Sequence, residues 1–174
     1  MVFVDEAYFD YIQEENYPSM SALVKSDHNV IVSRTFSKVY GLAGVRVGYL
    51  ITRPDIARRL RSRLMSGTNI MGVRLAMTAL DDPDFYKFSL DKCNEGKEMI
   101  YSALDPTGLK YIKSHTNFVF FRTGKHISQI TAKFADQGVQ VGRPFPPYDN
   151  WCRISTGTIE EVSQFTKAVK SVFS

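Results

Sequence analysis

Cysteine is scarce in this 174-residue sequence, and Cys93 and Cys152 show no spacing that suits a metal. No metal site is expected. No apolar run approaches the roughly 20 residues that a membrane helix needs. The opening "MVFVDEAYFD" meets acidic residues by its fifth position, which does not suit a secretory signal. These absences point to a reducing, cytoplasmic setting with no membrane partner. Low-complexity tracts and internal repeats are missing too. Concentrated positive charge is nearly so: 22 Lys and Arg give a net charge of +4 but are scattered, and only "RRLRSR", Arg58 to Arg63, forms a cluster. A nucleic-acid partner is therefore not expected. The cluster sits in "PDIARRLRSRL", where Pro54 opens a helix and Ile56, Leu60 and Leu64 recur every fourth residue, so it reads as a solvated helix face.

What is present is the balance of a globular protein: 44% hydrophobic, 13% aromatic and 23% charged residues. The length allows one full domain or two halves. The first four residues, "MVFV", read as a buried strand, and a domain rarely begins with a core strand unless others precede it.

Short apolar runs predict strands at Val2–Val4, Asn29–Ser33 and Val45–Ile51. Between and after them lie helical patterns in "SMSALVKSD", "PDIARRLRSRL" and "NIMGVRLAMTAL". Alternation of this kind predicts an α/β fold with a mostly parallel sheet covered on both faces. "DDPD", Asp81 to Asp84, breaks the pattern, because Pro83 ends one helix and suits the first turn of the next. The expected boundary therefore divides residues 1–82 from 83–174. The second region predicts a long helix from about Phe85 to Leu104, a strand in "NFVFFR", a helix in "HISQITAKFADQG", strands in "VQV" and "WCRIS", and a final helix in "TIEEVSQFTKAVKSVF". That is a small α+β domain. Thr158 with Glu161 makes a capping box for the last helix, since the two side chains satisfy two free backbone donors.

Asp5 and Tyr8, in "VFVDEAY", stand at the C-terminal end of the first strand, where open α/β sheets place their ligand crevices. Lys38 follows the second strand, and Arg46 lies eight residues further on, where the chain enters the third. If neighbouring parallel strands carry these loops, the four side chains converge. Pyridoxal phosphate would use such a set. Its aldehyde needs a lysine amine, its pyridine nitrogen needs a carboxylate, and its phosphate needs short hydroxyls and an arginine. Lys38 and Asp5 supply the first two, and Thr35, Ser37 and Arg46 the rest. The Tyr8 hydroxyl suits the ring oxygen. Gly41, Gly44 and Gly48 would let the backbone turn tightly and pass close to a ligand. Singly, each group has an ordinary explanation, such as a solvated lysine or an aspartate capping a turn. Their weight comes from order and from shared placement at strand ends.

The stretches "VDEAYFDY" and "SRTFSKVYGLAGVRVGY" resemble fold-type I pyridoxal-phosphate aminotransferases of class I and II, most closely their histidinol-phosphate aminotransferase branch. "GVQVGRPFPPYDNWCRISTGT" resembles that branch's substrate-carboxylate segment. The resemblance implies that Lys38 forms the Schiff base with the cofactor, Asp5 pairs with the pyridine nitrogen, Tyr8 with the ring oxygen, and Thr35, Ser37 and Arg46 hold the phosphate. It implies that Arg153 fixes the α-carboxylate. Arg143 lies near the family's second substrate arginine, although Gly-Arg-Pro here replaces the more usual arrangement. An arginine alternating out of a strand is the plain alternative for Arg153.

By this resemblance residues 1–82 belong to a large cofactor-binding domain and 83–174 form a small C-terminal domain. The implied activity is transfer of an amino group between an amine such as histidinol phosphate and 2-oxoglutarate, in histidine biosynthesis, by a homodimer. Members of the family are about twice this length, and this chain resembles their second half, so a truncated product is expected. Two rivals stand beside the transaminase: a phosphoamino-acid decarboxylase of the same fold, and a non-catalytic fragment of an aminotransferase.

Overall fold

In the computed structural model, which describes residues 1–173, the chain divides into two compact units, Met1–Ser89 and Leu90–Ser174. The division falls within one long helix.

The first unit is built on a three-stranded sheet, ordered β1 (Val2–Asp5), β2 (Val30–Thr35), β3 (Gly48–Thr52). β1 and β2 run parallel, with Asp5 opposite Ser33. β3 runs antiparallel to β2, with Thr35 opposite Gly48. The premise that neighbouring parallel strands carry all the site loops is therefore corrected for Arg46. A parallel return needs a crossover, usually a helix, whereas Phe36 to Val47 holds only a short 3-10 turn at Ala43–Val45. Helices α1 (Ser21–Lys25), α2 (Pro54–Arg61) and α3 (Ile70–Leu80) complete this unit with the start of α4 (Pro83–Leu104).

Val30, Ile31 and Val32 of the central strand are buried, with Phe36, Val39 and Ile56. The expectation of a buried first strand fails, since Met1, Val2 and Phe3 are all exposed. Among the described residues β1 pairs with β2 alone. α2 ends at Arg61, and its arginines Arg58, Arg59 and Arg61 are exposed as expected, but so is Leu60. α3 is capped by Asn69, whose side chain accepts from the Gly72 amide at 3.1 Å.

The second unit pairs β4 (Tyr111–Ile112), β5 (Phe118–Arg122) and β6 (Trp151–Ser155) in an antiparallel sheet. The rest of α4, α5 (Ile127–Asp136) and α6 (Ile159–Phe173) pack with it. Alternation on the strands sends Val119, Phe121, Cys152 and Ile154 into one core with Ile100, Leu104, Phe134, Phe165 and Val169. Burial pushes the Cys152 thiol up to about 12. The capping box forms as expected: the Thr158 amide donates to Glu161 Oε2 at 2.8 Å, and the Glu161 amide donates to Thr158 Oγ1 at 3.3 Å. "VQV" is not a strand. Val139 and Val141 are buried, yet the backbone here is tied to β6 by the Gly142 amide donating to the Arg153 carbonyl at 2.8 Å, and Pro144, Pro146 and Pro147 then remove donors.

Candidate active site

The end of the first unit's sheet where β1 and β2 terminate is also where β3 begins, because β3 is antiparallel. Residues after β1, after β2 and before β3 therefore meet at one end. Asp5 is exposed, and its Oδ1 accepts from the Ala7 amide at 3.0 Å and from the Ser33 hydroxyl at 3.2 Å. Lys38 Nζ lies 4.9 Å from the centre of the Tyr8 ring. This is cation–π range, and the Lys38 ammonium makes no hydrogen bond or ion pair with any described residue. Thr35 Oγ1 accepts from the Ser37 amide at 3.0 Å, which folds the chain tightly just before Lys38.

Arg46 approaches the same turn. Its Nη1 donates to the Ala43 carbonyl at 2.8 Å and to Ser37 Oγ at 3.4 Å. Its backbone is left-handed, φ 59° and ψ 51°, a conformation that costs a non-glycine residue on the order of 1 kcal/mol or more. Two of the three glycines are required here. Gly41 has φ +69°, and a Cβ on Gly48 would stand 2.7 Å from the Arg34 carbonyl. Gly44 has open space around it, so close approach does not explain it.

Arg143 and Arg153 lie in the second unit. β6 alternates regularly, with Cys152 and Ile154 in the core and Trp151, Arg153 and Ser155 on the other face. The Arg153 guanidinium stands 5.0 Å from the ring centres of both Phe118 and Phe145. Its Nε is buried and has no hydrogen-bond partner among the described residues. A buried charged donor without an acceptor is costly, and an anion in that position would satisfy it. Arg143 is exposed, stacks 4.4 Å from the Phe145 ring centre and donates to the Pro144 carbonyl at 3.2 Å.

A family model described as aminotransferase class I and II matches residues 1–169. This chain belongs to that family. The aminotransferase-family chain is 37% identical to a histidinol-phosphate aminotransferase of Moorella thermoacetica, over 99% of its own length and 45% of the relative's. It is also 37% identical to histidinol-phosphate aminotransferase 1 of Dechloromonas aromatica, over 98% of its length and 47% of the relative's. Among solved structures it resembles histidinol-phosphate aminotransferase from Sinorhizobium meliloti in complex with pyridoxal-5'-phosphate. There the TM-score is 0.86 and the identity 32%, covering 98% of this chain and 48% of that one. The chain spans about half the length of the curated relatives it matches. No helix among the described residues is long and apolar enough to cross a membrane.

In this family member, sequence reasoning overlooked a buried polar cluster beside Asp5. Glu6 is buried and receives both Nε and Nη2 of Arg34, at 3.1 and 2.9 Å, on its Oε2. A signal was available: an acidic residue at the end of one strand and a basic residue at the end of its neighbour, each next to a candidate ligand. The aromatic setting of Arg153, from Phe118 and Phe145, was overlooked as well.

Proposed function

We propose that this chain forms part of a pyridoxal-phosphate-dependent aminotransferase. It would move an amino group between an amine such as histidinol phosphate and 2-oxoglutarate, in histidine biosynthesis, as a homodimer. The observation that carries the reading is Lys38. Its ammonium has no acidic partner, stands over Tyr8, and shares one sheet end with the carboxylate of Asp5 and the hydroxyl and guanidinium groups of Thr35, Ser37 and Arg46.

The donor set fits the cofactor's chemistry. Asp5 keeps an oxygen unengaged by described residues, as a partner for a protonated ring nitrogen requires. Tyr8 would donate to the ring oxygen. Thr35, Ser37 and Arg46 would hold the phosphate, with Arg46 supplying the charge and its planar fork the geometry. Pyridoxal phosphate, when bound, supplies an aldehyde that condenses with amines and a protonated ring that draws electrons from the substrate α-carbon.

Lys38 would act twice, first as the amine that holds the cofactor and then, once displaced by the substrate amine, as the base. Its Nζ would take a proton from the substrate α-carbon and give one to the cofactor's aldehyde-derived carbon, which keeps the amino group. Acid–base help of this sort is typically worth about 10²–10⁴-fold. Asp5 would hold the ring nitrogen in its protonated form. Arg153, with its buried unsatisfied Nε, suits the carboxylate of the amino or oxo acid, and exposed Arg143 is the candidate for a second anionic group. Residues 1–82 would then belong to the large cofactor-binding domain and 83–174 to the small domain.

The test is a titration of the purified chain with pyridoxal phosphate. Visible Schiff-base absorbance should appear and be absent from a folded Lys38→Ala variant. Glutamate should form from 2-oxoglutarate with histidinol phosphate as donor. Absorbance that survives Lys38→Ala would overturn the assignment of Lys38, and carbon dioxide release without amino transfer would replace transamination by decarboxylation.

A further inference from the structure

Both oxygens of the Glu6 carboxylate are engaged. Oε2 takes both Arg34 donors and the Ser19 hydroxyl at 2.9 Å, while Oε1 takes the Met20 amide at 2.7 Å and lies 3.1 Å from the same hydroxyl. Arg34 Nη2 also donates to Ser19 Oγ at 3.0 Å, and the guanidinium packs 4.5 Å from the centre of the Phe9 ring. One buried carboxylate thus joins the end of β1, the segment leading into α1, and β2.

Its position relative to the site is what matters. Successive residues at strand ends point to opposite faces of a sheet. Asp5 bonds Ser33 on one face, and Glu6 bonds Arg34 on the other. Asp5 is bonded in sequence to Glu6, and Thr35 to Arg34. The Glu6 amide donates to the Ser33 carbonyl at 2.9 Å, and the Glu6 carbonyl accepts from Phe9 at 3.1 Å, closing the turn that carries Tyr8. Fixing Glu6 to Arg34 therefore fixes the peptides that present Asp5 and Tyr8 against those that present Thr35, Ser37 and Lys38. A buried ion pair adds little net stability over a well-packed apolar pair, but it has one directional arrangement.

We infer that Glu6 and Arg34 are positioning residues: their pair, two Arg34 donors on one oxygen of a buried carboxylate, locks the β1 and β2 loops into the register that brings the Lys38 amine over Tyr8 at the sheet end that also carries Asp5. The assignment rests on the proposed cofactor site only for its consequence, because the locking is a property of the unliganded chain.

The experiment compares Glu6→Gln, Arg34→Lys and the paired apolar replacement Glu6→Leu with Arg34→Met in the full chain. Amide hydrogen exchange is followed at Ala7, Phe9, Ser37 and Leu42, each hydrogen-bonded within these loops. Exchange at these amides should rise at least about tenfold. Exchange at Val30 to Val32 and the thermal midpoint of the apolar pair should stay near those of the unsubstituted chain. Unchanged loop exchange overturns the inference, as does a uniform rise across β2 or failure of all three variants to fold, since each makes the pair irrelevant or merely structural. Pyridoxal phosphate should bind Glu6→Gln about tenfold more weakly, and unaltered affinity with Lys38-dependent absorbance would also overturn it. A Lys38→Ala result against the cofactor site leaves the exchange result standing, so the two failures are distinguishable.

Discussion

The two units of the chain hold themselves together differently. The second owns a contiguous apolar core in which Phe121, Phe134 and Phe165 are fully buried and stack or meet edge-on. In the first, many large apolar side chains are at the surface: among the described residues, all the large exposed hydrophobics except Ile112 and Tyr148 belong to it. A densely hydrogen-bonded feature of it is polar, the Glu6–Arg34–Ser19 cluster. A second polar tie sits nearby, where Tyr86 donates to Asp10 at 3.0 Å and burial first, then Asp10, raises the Tyr86 hydroxyl above its ordinary range. The lesson is that a unit with a modest apolar core can still hold side chains in register if hydrogen-bonded charges do the aligning.

The comparison breaks most sharply at Phe134. Phe134→Ala should destabilise the second unit by about 3–5 kcal/mol, read from chemical denaturation with Trp151 fluorescence as a reporter confined to that unit. Preserved denaturation would mean the core does not carry that unit. In the first unit the corresponding change, Val32→Ala on the fully buried central strand, should cost about 2 kcal/mol and leave the Trp151 transition in place. A loss as large as that of Phe134→Ala would put the units on one footing. Thr158→Ala removes the side-chain acceptor of the α6 capping box and should lower the second unit's stability by about 1 kcal/mol. The smallest effect belongs to the first unit's surface. Ile70→Lys and Met71→Lys, at positions 76% and 72% exposed on α3, should stay within about 0.5 kcal/mol in denaturation while reducing light scattering by concentrated protein.

Much of this architecture was legible because its causes are local. Pro54 and Pro83 start helices, the Thr158–Glu161 pair caps one, and the alternation in "WCRIS" sends Cys152 and Ile154 inward. The candidate site was legible for the same reason: its residues sit at strand ends within short loops. β4 escaped notice, being two residues long, and "VQV" was read as a strand because apolar alternation does not reveal whether a ladder partner is available. Glu6 and Arg34 are 28 residues apart, so their pairing emerges only when β1 and β2 are set side by side.

By itself, the order of residues determined where most strands and helices form, how the last helix is capped, and that a lysine, an aspartate and phosphate-type donors stand near strand ends. Only the tertiary structure decided that β3 runs back antiparallel, bringing Arg46 to Ser37, that Val2 and Phe3 are exposed, and that Arg153 keeps a buried donor unsatisfied by any described residue. Those outcomes depend on which groups meet across space. Backbone preference and apolar spacing act over a few residues, while pairing direction and hydrogen-bond satisfaction are settled between segments far apart in the chain.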